Sequence, residues 1–594
     1  MSGWLARWRE RNEDGAALAT VVIVGFVLLT LVTTGSLVAM SGMQKSSTDA
    51  DWNAAMAAAY AGVDDYQSRL ANDNSYVQYG NPAAKFSAGS AVALPASENS
   101  AFGVGTTGTW ATVAGSSGAA SYRYEVDNSQ YANSGILKLR STGRVGKELR
   151  SVVVNLKQQG FIDFLYFTDY EIQDPKYSGK NATTCTKYAW ASRPADCSNI
   201  AFDLGDTTNG PAHSNDTIRI CDATFNGPVT TAYNPTSGPR YDARNSNGTA
   251  CSGQDFAVAG GPTYSPVIGM PPTNAQMKKE VRYDIPAEVP RPGCLYTGPT
   301  RITFNAGGTM TVRSPLTKAT QINGAATPVA KSPAPTQCGD PAQLASATGQ
   351  TIPVLDRNLI FVQNVPASSS DPNFTSTTKV PTACKTPTTS QQPESLPTNG
   401  LGYPLANEDL GSSSVVESYN CRYGDVFVEG DMHGLMSIAA ENYVYVTGNI
   451  KYVDPQADML GLVGNNAVWV WNPVNSSGSS LLSSTSKANR RIDAAILSVA
   501  HTFQVQNKEK GGDRGTLTVN GALAQKFRGI VRYGTNGYTN GYIKNYVYDA
   551  RFRYMAPPKF LSPVTTTYGV SELVEVAGAL NPDGSCVKKA GFCI

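Results

Sequence analysis

Residues 16–43 read AALATVVIVGFVLLTLVTTGSLVAMSGM, an unbroken stretch without one charged side chain. As an α-helix it is about 42 Å long, more than the ~30 Å hydrocarbon core of a bilayer. Arg7, Arg9 and Arg11 precede it and only Lys45 follows closely, so the positive-inside bias places the N-terminus in the cytoplasm and the remainder outside. A cleavable signal peptide has an apolar core of roughly 7–15 residues, which makes this stretch a membrane anchor rather than a removed signal.

The helical pattern continues past the anchor. DWNAAMAAAYAGVDDYQSRL (51–70) is alanine-rich, and Trp52, Met56, Tyr60, Val63, Gln67 and Leu70 recur at spacings of three and four, predicting one stripe on a helix. Gly42 is the weak point between the two parts. After a Ser/Gly-rich stretch, SYRYEV (121–126), ILKLRSTGRV (136–145) and RSVVVNL (150–156) alternate and are separated by turn residues, as antiparallel strands do.

A short basic leader, Gly15, an apolar helix and then an AAxAG segment resemble the N-terminus of type IV pilin-like minor pilins. The resemblance covers roughly residues 1–160 and implies processing between Gly15 and Ala16. It also implies a subunit that meets other pilin-like subunits through its helix. Thr20 stands at the fifth mature position, where major pilins carry a glutamate. A carboxylate inside the bilayer is costly unless paired, so an uncharged residue here suits a minor or tip position rather than a repeating shaft.

Beyond Gly160, short motifs repeat. NGPAHS (209–214) returns as NGPVTT (226–231), and VFVEGDM (426–432) returns as VYVTGNI (444–450), with LTVNGAL (517–523) a third copy. A strand, a Gly-Asp or Gly-Asn corner and another short strand at this period describe one coil of a β-solenoid. A stack of ordinary hairpins is the alternative. Together with GMPPTN and RGIVRYGTNGYTNGYIKNYVYDARFRYMAPPKF, these segments resemble an uncharacterised bacterial surface-protein family with a solenoid-like body. The expected fold is therefore mainly β: a long N-terminal membrane-spanning helix with a pilin-like antiparallel sheet, then a β-solenoid-like ectodomain. The expected divisions are a leader (1–15), a transmembrane helix (16–43) and a pilin-like helix and sheet (44–160). A Cys-containing β-rich domain (161–420), a solenoid-like domain (421–565) and a disulfide-closed C-terminal cap (566–594) follow.

The ten cysteines are Cys185, Cys197, Cys221, Cys251, Cys294, Cys338, Cys384, Cys421, Cys586 and Cys593, and no pair has CxxC spacing. An even number confined to the ectodomain reads as disulfides in an oxidising compartment. Coils keep sequence neighbours close in space, so the expected bridges are local: Cys185–Cys197, Cys221–Cys251, Cys294–Cys338, Cys384–Cys421 and Cys586–Cys593. An open solenoid also keeps the two ends of the ectodomain apart.

Lys and Arg (48) nearly balance Asp and Glu (46), and no dense basic run occurs, which argues against nucleic acid as a partner. The three histidines, His213, His433 and His501, form no HExxH or HxH arrangement. His213 is expected to hydrogen-bond a turn. No GxSxG elbow or GxxxxGK[ST] loop is present. Asp425, Glu429, Asp431 and Glu441 cluster in sequence, so a polysaccharide-active enzyme is a remote alternative, which needs two carboxyls in one cleft. Tyrosines in GTNGYTNGYIKNYVYD (534–549) can stack on sugars or simply fill strands. The main expectation is a non-catalytic subunit without cofactor or metal: a minor or tip protein of a bacterial surface filament, anchored by one membrane pass. Its partners would be the membrane, other pilin-like subunits, and a surface polysaccharide or host cell-surface ligand. A membrane-anchored adhesin or envelope-matrix protein outside any filament is the alternative.

Overall fold

The computed structural model describes residues 4–593 apart from 106–107, 132–135, 159, 377–398, 410–418, 483–488, 535–539, 554, 564–567, 579, 582–584, 586 and 590–591. The chain is mostly strands preceded by one long helix, and it divides into two compact units. The first comprises residues 1–132, 136–157 and 568–594, and the second comprises 133–135 and 158–567.

In the first unit α1 (Trp4–Asn72) is a single helix, unbroken at Gly42. Its second half lies on an antiparallel sheet built from β1 (Ala111–Thr112), β2 (Ala120–Asp127), β3 (Ile136–Val145) and β4 (Glu148–Gln158). The residues against the sheet are Ala55, Ala58, Ala59, Val63, Tyr66 and Leu70, whereas Trp52 (44% exposed) and Tyr60 (39%) face outward. The expected stripe is thus rotated toward small side chains. Steric closeness explains it: a Cβ on Gly143 would collide with the α1 backbone at Ala55 and Ala59, so only glycine lets the strand reach the helix. Ser141 Oγ donates to the Ala59 carbonyl at 2.7 Å, closing the same contact. Tyr122, Tyr124, Leu137, Leu139, Val152 and Val154 complete this core.

Residues 566–594 differ from the expected separate cap. The strand Tyr568–Val576 is hydrogen-bonded beside β4 as the fifth strand of this sheet. Asn155 Nδ2 donates to Glu572 at 2.8 Å, and Arg150, stacked over Trp52, is paired with Glu575. An edge strand offers unpaired backbone to any chain that can reach it, and here the C-terminal segment takes that place.

The second unit is built from parallel ladders in which each strand pairs with one further along the chain. The first ladder runs Cys294–Thr297, Asn358–Gln363, Leu435–Ala440, Met459–Gly464 and Arg490–Ser498. It continues through Asp513–Phe527, Tyr166–Tyr170, Ala212–Ser214 and Val229–Thr231 to Thr263–Tyr264. A second joins Thr300–Asn305, Val426–Met432, the start of Tyr443–Tyr452, Ala467–Val470 and Phe503–Val505. A third joins the ends of Val426–Met432 and Tyr443–Tyr452 to Arg490–Ser498, Asp513–Phe527, Asn540–Tyr548, Thr207–Asn209, Thr224–Phe225 and Asp255–Phe256. Long strands serve two ladders by turning a corner, as Tyr443–Tyr452 does beside the irregularity between Val428 and Gly430. Inward side chains such as Val428, Val446, Ile450, Ile492, Val519 and Phe225 form one core along the stack.

The order of strands is not the order of the chain. Tyr166–Tyr170, first in sequence, lies in mid-stack against Asp513–Phe527, with Leu523 opposite Tyr166. The chain builds outward from there to Tyr264, returns to the opposite end at Cys294, and builds back to close on its own start. Within this unit the stack therefore closes on its own start instead of running open from end to end. Each terminal strand of a parallel ladder has an unpaired edge, and docking one on the other satisfies both. For the same reason no boundary falls at 420/421: both sides belong to one unit and share its ladders.

Candidate functional site

The first half of α1 is the most unusual surface of the chain. Leu18 (68% exposed), Phe26 (66%) and Met43 (73%) bracket an apolar cylinder in which no side chain from residue 18 to residue 50 is covered. This segment is long and apolar enough to cross a membrane. Several of its hydroxyls bond back to carbonyls within the helix. Thr30 Oγ1 donates to the Val27 carbonyl at 2.8 Å, Thr33 to Leu29 at 2.9 Å, Thr34 to Thr30 at 2.6 Å and Ser41 to Val38 at 2.9 Å. Such back-bonding lets these hydroxyls sit in an apolar surrounding without water. Thr20 is exposed in the same stretch, and Gly15 and Ala16 lie within α1.

Three disulfides tie loops in the second unit: Cys185–Cys197, Cys221–Cys251 and Cys294–Cys338, with Cα atoms 5.5, 5.1 and 5.4 Å apart. These are three of the five sequence-order pairs. Cys421 is also disulfide-bonded, while Cys384 and Cys586 lie outside the described residues, as does the side chain of Cys593. Cys221, Asp222 and Cys251 gather within metal-ligating distance, but two of the three are consumed by a disulfide and have no thiolate to give.

Where the two arms of the stack meet, apolar packing such as Ile172 on Phe527 is joined by polar contacts. Arg528 pairs with Glu171 at 3.1 Å, both nearly inaccessible, and its guanidinium lies 3.7 Å from the Phe202 ring centroid. Burial pushes the Glu171 carboxyl up, opposed by Arg528. Lys544 pairs with Asp206 at 2.8 Å, and His501 Nδ1 lies 2.6 Å from Asp174. Tyr548 donates to the Ile162 carbonyl at 3.0 Å. No sequence motif marks this seam, because its partners lie more than 300 residues apart.

His213 bonds the bend that follows its strand, as expected, and is buried. Nδ1 lies 2.8 Å from Thr230 Oγ1 and Nε2 lies 3.0 Å from Asn215 Oδ1, with Phe167 stacked on the ring. Burial pushes it down to about 4, so the imidazole is neutral and structural at ordinary pH. His433 leans on the buried Asp458 at 3.0 Å.

The four carboxylates singled out by sequence do different things. Asp425 is fully buried, accepts from Asn442 Nδ2 and the Tyr443 N–H, and is pushed up to about 7 by that burial. Glu441 accepts the Asn364 N–H at 2.7 Å. Glu429 and Asp431 stand on the outward side of Val426–Met432.

Another buried carboxyl was not legible in sequence. Glu408 lies under an aromatic layer in which Tyr403 stacks on Phe427 (4.0 Å between centroids) and Phe427 on Tyr445 (5.1 Å). Tyr419 donates to it at 2.8 Å, as does the Leu405 N–H. Aromatic residues at matching places in successive repeats, Phe427, Tyr445 and Trp469, were the available signal.

No family model and no curated protein matches this chain. One solved structure with similarity along 89% of this chain and 97% of its own length is the competence-associated pilin ComZ from Thermus thermophilus, at 11% identity and a TM-score of 0.22. Likeness at that score supports no inference about fold or role.

Proposed function

We propose that the protein is a minor pilin-like subunit of a bacterial surface filament, anchored by α1 and carrying a non-catalytic, β-solenoid-like body. The observation that carries this reading is the division of one helix into two environments. Its second half is buried on an antiparallel sheet, and its first half is an uncovered apolar cylinder in which Thr33 and Thr34 bond back to helix carbonyls. Such a segment needs lipid before assembly and can exchange lipid for neighbouring helices in a filament, since the two surroundings are similarly apolar. Three parallel ladders sharing one core support the solenoid-like reading of the body, and disulfides support an extracytoplasmic location. Asp425 and Glu441 accept hydrogen bonds within the stack, which supports a structural role over a two-carboxylate mechanism.

Cysteine cross-linking tests the proposal. A cysteine at exposed Leu28 is expected to form cross-links to other pilin-like subunits in sheared surface filaments, and the mature N-terminus in that fraction is expected to be Ala16. Protein confined to the membrane fraction with an intact Met1 would instead identify a plain anchored adhesin.

A further inference from the structure

The three ladders of the body differ in what covers their outer sides. Outward residues of the first, including Leu295, Phe361, Val463 and Leu497, are buried beneath Phe164, Ile268, Met277, Ile322 and Leu561. Those of the second, Phe427, Tyr445 and Trp469, are buried beneath Leu401, Tyr403 and Tyr419. Among the described residues the outer side of the third is open except at Asp493, which is buried beside Arg491. Thr518 and Asn520 flank the inward Val519, Asn545 and Val547 flank Tyr546, and Thr224 and Asn226 flank Phe225. Each of these flanking residues is partly or fully exposed.

Resting on the reading of the chain as a surface subunit, we propose that this open ladder face docks a neutral, hydroxyl-rich polysaccharide. Parallel strands present their side chains at ~4.8 Å intervals, so the face is a regular row of hydroxyls and amides. Both donors and acceptors are offered, and they are fixed before any ligand arrives. Asn545 Nδ2 donates to Thr518 Oγ1 at 3.3 Å, Asn226 Nδ2 to Asn209 Oδ1 at 2.7 Å, and Asn209 Nδ2 to the Tyr546 carbonyl at 3.2 Å. Preorganisation of this kind lowers the ordering cost of binding.

Charge then selects the class of partner. Asp431 lies opposite Lys451 in register, Arg491 Nε donates to the buried Asp493 at 2.8 Å, and the exposed Asp255 stands opposite Thr224, so this face carries no excess of positive charge. A face without excess positive charge has no means of attracting a polyphosphate backbone or an anionic lipid surface. Exposed Ile543 (41%) and Val547 (37%) interrupt the amides. That alternation matches a sugar chain, whose rings carry hydroxyl edges and C–H faces. Two isolated aliphatic side chains supply too little apolar core for a stable interface with a second copy.

The full-length protein in detergent micelles is to be tested for retention on insoluble cellulose, chitin, β-1,3-glucan and mannan, with alginate beads and DNA-cellulose as charged comparators. Retention on at least one neutral polymer, insensitive to added salt, is expected. A Thr518→Ala, Asn545→Ala, Asn209→Ala variant is expected to lower retention about tenfold with unchanged far-UV circular dichroism. Asn545→Glu, which adds charge at an exposed position, is expected to do the same without removing bulk. Retention on none of the four, retention only on alginate or DNA, or equal retention of both variants overturns the proposal. Self-association lost in the same variants, without polymer binding, would assign the face to a second copy. Failure of the filament reading is distinguishable, because these substitutions leave α1 and its cross-links untouched.

Discussion

Replacing Glu408 with glutamine should remove a pH dependence that is built into the aromatic layer. Glu408 is 1% exposed and accepts from the Leu405 N–H and the Tyr419 hydroxyl, both at 2.8 Å. Tyr419 in turn accepts from Trp471 Nε1 at 2.9 Å and Gln506 Nε2 at 2.7 Å, so the carboxyl ends a buried network with no cation in it. Burial pushes Glu408 from 4.5 to about 7, with Asp409 acting in the same direction. Because the folded value lies above the unfolded one, the stabilising contribution is complete below about pH 4.5 and is lost as pH rises through about 7. A rise of that size is worth on the order of 3 kcal/mol. Glutamine is neutral throughout and keeps an acceptor for Tyr419. Asp425, also at about 7, is present in both proteins and cancels in the comparison. Urea unfolding followed by tryptophan fluorescence reports on this layer, since Trp469 and Trp471 lie within it. Between about pH 5 and about pH 9 the native protein should lose up to roughly 3 kcal/mol relative to Glu408→Gln. Parallel stability curves, or a native protein that gains stability with pH, would refute the reasoning.

The seam offers a double-mutant cycle. Arg528→Met and Glu171→Leu should each cost about 3–5 kcal/mol, because each leaves a buried charge alone, whereas the double variant should recover most of that loss. Additive losses in thermal unfolding would show that the pair is not coupled. At the helix–sheet contact, Gly143→Ala should destabilise the first unit by about 1–3 kcal/mol, since the added Cβ meets α1 backbone rather than a movable side chain. Amide exchange in β3 reports the loss, and unchanged protection would contradict the close approach.

Several features were legible from local chemistry alone. The uncharged run at 16–43 marked a helix long and apolar enough to cross a membrane, because backbone hydrogen bonds of a helix close within the segment whatever lies around it. Alternation in SYRYEV, ILKLRSTGRV and RSVVVNL fixed three strands whose side chains point the expected ways. The short spacing of Cys185 and Cys197 gave their bridge. The helix stripe was misjudged for a definable reason. Apolar periodicity selects large residues, while the contact with β3 is made by alanines that let two backbones approach.

Sequence by itself determined the elements whose partners are near in the chain: the helix, the hairpin-linked strands, the repeats and the local disulfides. Tertiary structure alone decided where the chain closes. Tyr166–Tyr170 against Asp513–Phe527, Tyr568–Val576 beside β4, the Arg528–Glu171 pair and the burial of Glu408 all join distant segments. A strand edge will pair with any segment of suitable register. Which one arrives is set by the packing of everything between them, and no local pattern of residues encodes that.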